Sequence, residues 1–161
     1  MSPVHVLLVS GSLRGASTNA ALMRTAVAAV VDGVTTELFD GMAELPHFNP
    51  DDDAEEGEVP APVAALRERL GHEIYRLPAA WVNAAGLGRG VNADESLRKV
   101  LGYVNADVVE AAVARIPVAH GPGGEDGTVA DPEVRAGIAA VLEAHVRARR
   151  ADPGWVGRPA A

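Results

Sequence analysis

Side chains that can donate hydrogen bonds cluster directly after the first apolar segment of the chain. Ser12, Arg14, Ser17, Thr18 and Asn19 lie close together there, among glycines. They offer hydroxyl and amide donors together with one fixed guanidinium charge, which suits an anionic phosphate group. A helix that begins at this point adds free backbone N–H groups and the positive end of its dipole. The segment therefore predicts a phosphate-binding loop.

The same residue types also occur in ordinary turns and helix caps, which is the alternative interpretation. Two features favour the phosphate: the hydroxyls outnumber what one helix cap uses, and Arg14 lies inside the turn. The chain contains no G-x-x-x-x-G-K-[ST] pattern, the loop of enzymes that bind nucleoside triphosphates. The pattern therefore favours a cofactor phosphate that is held without Mg²⁺.

Apolar residues alternate between strand and helix patterns, which places this loop between a strand and a helix. Val4–Val9 is predicted as a buried parallel strand. The helix that follows is predicted from Ser17 to Val31, and a second strand from Thr35 to Phe39. The apolar stripe of this helix, which is expected to face the core, consists of Leu22, Met23, Ala26, Val27 and Val30.

The remainder of the chain continues the alternation. Asn92 and Glu95 are the predicted cap of a third helix. Because strands and helices alternate, we expect an α/β fold with a parallel sheet covered on both faces. One domain is expected over residues 1–150 and a disordered tail over 151–161. The other predicted elements are a helix from about Pro60 to Gly71, strands at Ala79–Ala84 and within Val108–Val118, and a helix from Asp131-Pro132 to about Arg150.

The composition restricts the classes of partner. A net charge of −8 and an aromatic content of 4% disfavour a nucleic-acid-binding surface, which is basic and offers rings for stacking. The chain has no cysteine and its histidines show no metal-ligand spacing, so no metal site is predicted. No acid–base group stands out, so no catalytic residue is predicted. Without a signal peptide or a long apolar segment, we expect a soluble cytoplasmic protein with no membrane partner.

Three stretches of the chain resemble the NADPH-dependent FMN reductase family. The resemblance implies a flavodoxin-like three-layer sandwich that binds FMN noncovalently. It also implies two-electron transfer from NADPH or NADH to FMN and on to a small-molecule acceptor such as a quinone or free flavin, in a homodimer or homotetramer. The stretches are Gly11-Ser12-Leu13-Arg14 with Ser17, Asn19 and Leu22; Leu45-Pro46 with Phe48-Asn49-Pro50-Asp51; and residues 78–118, which include Glu95-Ser96-Leu97-Arg98.

The resemblance also implies which residues hold the cofactor. The loop after the third predicted strand borders the isoalloxazine ring, mainly through backbone groups. The implied phosphate contacts are Ser12, Arg14, Ser17 and Asn19, to which Thr18 adds a further donor. The implied ring-bordering residues are Asn83, Ala84, Ala85 and Gly86.

One part of the family pattern has no counterpart in this chain. Members carry a further strand that ends in a Pro-Glu-Tyr type loop, which cradles the flavin ring, and then a helix. Here Leu70 is followed by Gly71-His72-Glu73-Ile74-Tyr75, which resembles the connector after that helix. We therefore predict a sheet reduced to four strands in the order 2-1-3-4, with the strand at Ala79 beside the first strand.

Two other functions stay open at the level of sequence. Because the ring-cradling segment is missing, the chain could be a non-catalytic remnant of the family that acts as an assembly or anion-binding module. The third possibility is a dinucleotide-binding domain. Its glycine loop would be Gly86-Leu87-Gly88-Arg89-Gly90, and Asp107 would be the acidic residue that binds the ribose.

Overall fold

A computed structural model describes residues 3–52, 58–71, 76–86, 90–119, 123–124 and 126–151. It contains six short strands and four helices within those residues. No helix in this part of the chain is both long and apolar enough to cross a membrane. In chain order the elements are β1 Val4–Val9, α1 Thr18–Ala28, β2 Val34–Phe39, α2 Ala61–Leu70, β3 Pro78–Ala79, β4 Val82–Asn83, α3 Val91–Tyr103, β5 Asp107–Val108, β6 Ala114–Arg115 and α4 Pro132–Ala151.

All strand pairs of the described elements are parallel. β1 pairs with β2 over its full length, from Val4 opposite Val34 to Val9 opposite Phe39, and α1 provides the crossover. β3 pairs with β5, and β4 pairs with β6. Parallel strands connected by helices confirm the predicted α/β, flavodoxin-like fold class.

The short strands β3 and β4 form one continuous backbone lane. Alternate carbonyls along this lane accept hydrogen bonds from two successive segments of the neighbouring lane, and a 3₁₀ turn at Glu110–Ala112 separates those segments. The predicted third and fourth strands are therefore confirmed as parallel neighbours. Before the turn, the N–H groups of Asp107 and Val109 donate to Leu77 O and Ala79 O, each at 2.9 Å. After the turn, the Ala114 N–H donates to Trp81 O at 3.1 Å and the Ile116 N–H to Asn83 O at 2.9 Å.

The prediction that the four predicted strands form a single sheet in the order 2-1-3-4 is wrong in one pairing, that between the first and the third predicted strands. Among the described strands, β1 is hydrogen-bonded to β2 alone. Val6 and Leu8 of β1 pack against the same core cluster as β4 does. Val82 and Ala84 pack against the core beneath α1 and α4, and the Asn83 side chain is bonded to α3. Alternation of strands and helices in a sequence does not encode which strands become neighbours.

The main hydrophobic core lies between the strands and the helix pair α1 and α4. The apolar stripe predicted for α1 is partly wrong, because the helix ends at Ala28 and not at Val31. Val27 is 44% exposed and Val30 is 96% exposed, since Val30 lies beyond the last helical turn. The buried members of the core are Ala21, Leu22, Ala26, Ile116, Val129, Val134, Ile138 and Leu142.

The opposite face of the strands is covered more thinly. Arg69 of α2 pairs with Glu37 of β2, and Asp94 of α3 bonds to Asn83, so these two helices lie on the face away from α1 and α4. Neither α2 nor α3 contains a buried residue. The fold therefore has the predicted three layers, but its apolar core is on one side.

The helix ends follow local chemistry. α2 ends as predicted before Gly71, whose φ of +67° suits glycine. α4 begins as predicted, with the Glu133 N–H donating to Asp131 Oδ1 at 2.9 Å. The predicted cap of α3 is wrong: the helix begins at Val91, before Asn92, and Gly90 with a φ of +81° is its N-cap. A positive φ favours glycine over asparagine at this point.

Candidate functional site

The loop between β1 and α1 is held at its end by Ser17. This buried residue is the N-cap of α1, and its Oγ accepts a hydrogen bond of 3.4 Å from the Ala20 N–H. Its own N–H donates to Arg14 O at 3.0 Å, which closes the turn. The cap interpretation is therefore correct for Ser17, whose hydroxyl donates to no residue that the structure describes.

The other predicted phosphate ligands are uncommitted. The side chains of Ser12, Arg14, Thr18 and Asn19 make no hydrogen bond or ion pair with any residue that the structure describes. The first turn of α1 contains no acidic residue, so nothing there opposes an anion. Its leading N–H groups lack partners within the helix, as those of any α-helix do. The loop thus combines a guanidinium, hydroxyls and an amide that have no partner in the described part of the chain.

The glycines of this loop leave open space beside it. A Cβ atom added at Gly11 or Gly15 would meet no atom within 4 Å. The donor set and this space fit a phosphate dianion, since several charge-assisted hydrogen bonds can converge on it at a helix N-terminus. The arrangement can bind and orient an anion.

The loop that follows β4 differs, because Asn83 is fully used within the protein. Its Oδ1 accepts from the Ala85 N–H at 2.9 Å, and its Nδ2 donates to Gly90 O at 3.1 Å. Nδ2 also donates to Asp94 Oδ1 at 2.7 Å. The Asn83 side chain therefore faces α3 and is not free for a ligand. The N–H groups of Ala84 and Gly86 make no hydrogen bond to another described residue.

Asp94 is the centre of a polar cluster that sequence reasoning missed. Its carboxylate also accepts from Trp81 Nε1 at 3.2 Å and from Arg115 at 2.8 Å. Burial acts to raise the pKa of Asp94, but the hydrogen bonds from Asn83, Arg115 and Trp81 outweigh it and lower that pKa. The sequence offers one signal for this cluster, an aspartate in the first turn of a helix. Nothing in the sequence indicates that Trp81, Asn83 and Arg115 are its partners.

A second ion pair lies on the outer side of this cluster. Arg98 pairs with Glu110, and its guanidinium lies over the Trp81 ring, 5.0 Å from the ring centre. The hydrogen bond from Arg98 lowers the pKa of the exposed Glu110 carboxyl. These contacts attach α3 to the strands, and none of them reaches the loop at Ala85.

The structure places Asp107 at the wrong end of the strands for the dinucleotide interpretation. Asp107 is opposite Pro78 at the start of the lane, whereas the glycine loop follows Asn83 at its carboxyl end. Five strand residues separate the two points by about 16 Å at 3.3 Å per residue. An acidic residue that binds the ribose lies near the phosphate loop, so Asp107 does not fill this role. Residues 87–89 of the glycine loop lie outside the described residues.

The comparison with protein families supports the resemblance. Residues 4–73 match the family described as NADPH-dependent FMN reductase. The match confirms the resemblance stated from the sequence, and it runs from β1 through the phosphate loop to the end of α2. The FMN reductase family implies flavin-dependent oxidoreductase chemistry, with flavin binding and nicotinamide use in general. No curated protein matches the chain.

The FMN reductase match ends where the family pattern is interrupted. It stops at residue 73, just after α2, and among the described residues no strand and helix intervene between α2 and β3. The predicted phosphate ligands lie inside the match, and Asn83, Ala84, Ala85 and Gly86 lie beyond it. No hydrogen bond or ion pair joins the two loops within the described parts of the chain.

Proposed function

We propose that this chain is an FMN-dependent NAD(P)H oxidoreductase, which passes electrons from NADPH or NADH to a small-molecule acceptor such as a quinone or free flavin. One observation carries the proposal. The loop at the start of α1 has side-chain donors in Ser12, Arg14, Thr18 and Asn19 that have no partner among the residues the structure describes. Arg14 and Asn19 are exposed and Ser12 and Thr18 are partly buried, so all four are accessible at a helix N-terminus, where such donors bind anions.

The residues of the loop contribute different contacts to the FMN phosphate. Arg14 supplies the fixed positive charge and can form two parallel hydrogen bonds to phosphate oxygens. Ser12, Thr18 and Asn19 add neutral donors, and Ser17 keeps the start of α1 in place by capping it. The backbone N–H groups of Ala84 and Gly86, which bond to no other described residue, border the ring. Bound flavin supplies the electron transfer, for which no side chain here acts as an acid or a base.

The proposal extends to the setting of the protein. By the family resemblance we propose a homodimer or homotetramer, formed by a single domain over residues 1–150, that works in the cytoplasm. Sedimentation of the purified protein measures the oligomer directly, and a monomer at micromolar concentration would contradict this part of the proposal.

The direct test is titration with FMN, riboflavin and inorganic phosphate. We expect FMN fluorescence to be quenched on binding, and Arg14→Ala to weaken FMN binding roughly ten- to a hundredfold, as for loss of one charged hydrogen-bonding group. Riboflavin, which lacks the phosphate, should bind both proteins equally. Arg67→Ala is the matched control, because Arg67 is an exposed arginine of α2 outside the loop. No quenching by micromolar FMN would refute the proposal.

The alternative function is a non-catalytic family remnant that binds anions or serves in assembly. Two observations favour it. Among the described strands, β1 has no partner on the side away from β2, and among the described residues no further strand and helix lie between α2 and β3. Steady oxidation of NADPH in the presence of FMN and a quinone excludes this alternative. Phosphate binding by the loop without any NADPH oxidation would support it.

A further inference from the structure

The amide of Asn83 joins both ends of the loop that follows β4 to the first turn of α3. It contacts Ala85 near the start of the loop and Gly90 at its end, and Asp94 one turn into the helix. Asn83 and Asp94 are eleven residues apart in sequence. One side chain therefore sets the path of the backbone on which Ala84 and Gly86 present their N–H groups.

The orientation of this amide follows from the chemistry of Asp94. A carboxylate only accepts hydrogen bonds, so the NH₂ end of the amide must face it. The carbonyl end of Asn83 is then turned to the Ala85 N–H, which needs an acceptor. Gly90 O accepts from the same NH₂ end, so two acceptors together hold the amide carbonyl toward the Ala85 N–H.

Asp94 is itself held by the strands on which the loop is built. Trp81 on the β3–β4 lane and Arg115 on β6 both donate to it, and its side chain is only 17% exposed. The lowered pKa of Asp94 keeps it ionised above the acidic range. At Gly90, a Cβ atom would lie 2.5 Å from Asn83 Nδ2, so glycine is also required for the amide to reach the backbone.

We propose that Asp94 is a positioning residue for flavin binding: it fixes the Asn83 amide, which in turn fixes the backbone N–H groups that border the flavin ring. This inference rests on the proposed function. It assigns a role to a residue that touches neither the phosphate loop nor the predicted ring-bordering residues other than Asn83. The ring and the phosphate are thus held by two independent parts of the chain.

The test compares Asn83→Asp with the double variant Asn83→Asp/Asp94→Asn. The single change places two carboxylates in contact and removes the donor to Gly90 O. We expect it to weaken FMN and riboflavin about equally, roughly tenfold or more, because ring contacts are common to both ligands. The double variant exchanges donor and acceptor between the two positions, so it should recover part of the affinity for both flavins.

Glu110→Gln is the control, because it breaks the ion pair of Arg98 on the same helix without touching the loop. We expect its affinity for both flavins to be unchanged. Unaltered riboflavin binding by Asn83→Asp would overturn the proposal, as would a double variant that binds flavins no better than Asn83→Asp. A variant that lost only FMN affinity would also overturn it, since that pattern belongs to the phosphate loop.

Hydrogen exchange of the Ala85 amide, measured without flavin, separates this inference from the proposed function. Faster exchange in Asn83→Asp, with slow exchange restored in the double variant, is the expected result. If the unaltered protein bound neither flavin, the proposed function would fail and the flavin-positioning role with it. If flavins bound but the Ala85 exchange rate were the same in all variants, only the role of Asp94 would be refuted.

Discussion

The two loops that lead from a parallel strand into a helix use their polar residues in opposite ways. In the loop after β1, the side chains of Ser12, Arg14 and Asn19 have no partner among the described residues. In the loop after β4, the Asn83 amide uses both ends of its side chain within the fold. The difference indicates that the first loop is shaped to meet a ligand through side chains. The second is fixed in advance and offers backbone groups.

The largest expected effect distinguishes a glycine that the fold requires from one that it does not. Gly90→Ala places a Cβ against the Asn83 amide at a φ of +81°, so we expect a loss of roughly 2 kcal/mol in the free energy of unfolding. Gly11→Ala meets no atom within 4 Å and should change it by less than about 0.5 kcal/mol. Urea unfolding measures both, and equal losses would contradict the distinction.

Asp94→Asn tests the charged centre of the second loop. We expect a loss of about 1–2 kcal/mol near neutral pH, since the hydrogen bonds from Arg115 and Trp81 lose their ionised acceptor. Because folding lowers the pKa of Asp94, its contribution is present above the pKa of the unfolded chain, about 4. It is lost as the pH falls through the lower pKa of the folded protein.

The pH dependence provides the check on that prediction. The difference in unfolding free energy between the unaltered protein and Asp94→Asn should be constant from about pH 5 to 7 and shrink below about pH 4. A difference that stayed constant on acidification, or grew, would show that the ionised form of Asp94 does not stabilise the fold.

Ser17→Ala addresses the residue of the first loop whose side chain caps α1. Loss of an N-cap hydroxyl should cost about 1 kcal/mol, and circular dichroism during thermal unfolding measures it. Thr18→Ala is the neighbouring control, because the Thr18 side chain has no partner among the described residues. If both changes cost the same, Ser17 is not acting as a cap.

The smallest expected effect on stability belongs to Ser12→Ala and Asn19→Ala. Each should change the free energy of unfolding by less than about 0.5 kcal/mol. Each should nevertheless weaken FMN binding several-fold, as for loss of one neutral hydrogen bond. Stability and affinity measured on the same preparations test this directly. A loss of stability without any loss of affinity would show that these side chains serve the fold, as Asn83 does in the second loop.

The success of sequence reasoning depended on how local each feature is. Val4–Val9 was predicted with the bounds that the structure has, because a short apolar run followed by Ser10 and Gly11 has few other structures. The ends of α2 and α4 were also predictable, since Gly71 and Asp131 terminate and cap their helices through bonds to adjacent residues.

Features that depend on distant residues could not be predicted. The bond between Asn83 and Asp94 joins a strand to a helix, and neither residue type indicates the other. Val30 was assigned to the core by its spacing, but α1 ends before it and leaves it exposed. No residue type in β1 or β4 indicates that these two described strands are not hydrogen-bonded to each other. Among the predicted cofactor-binding residues, residue type identifies the hydrogen-bond donors. The structure is needed to show that Ser17 and Asn83 already bond within the protein.

The 3₁₀ turn at Glu110–Ala112 sets the side-chain alternation of the lane that contains it. Before the turn, Asp107 and Val109 donate to the neighbouring lane, and after it Ala114 and Ile116 do, so odd-numbered residues give way to even-numbered ones. Removing one residue from the turn would rotate the strand after it by half a pleat. Arg115 would then enter the apolar layer, and Ile116 would face Asp94. Removing two residues would keep each side chain on its present face. The melting temperature should therefore fall far less after a two-residue deletion than after a one-residue deletion.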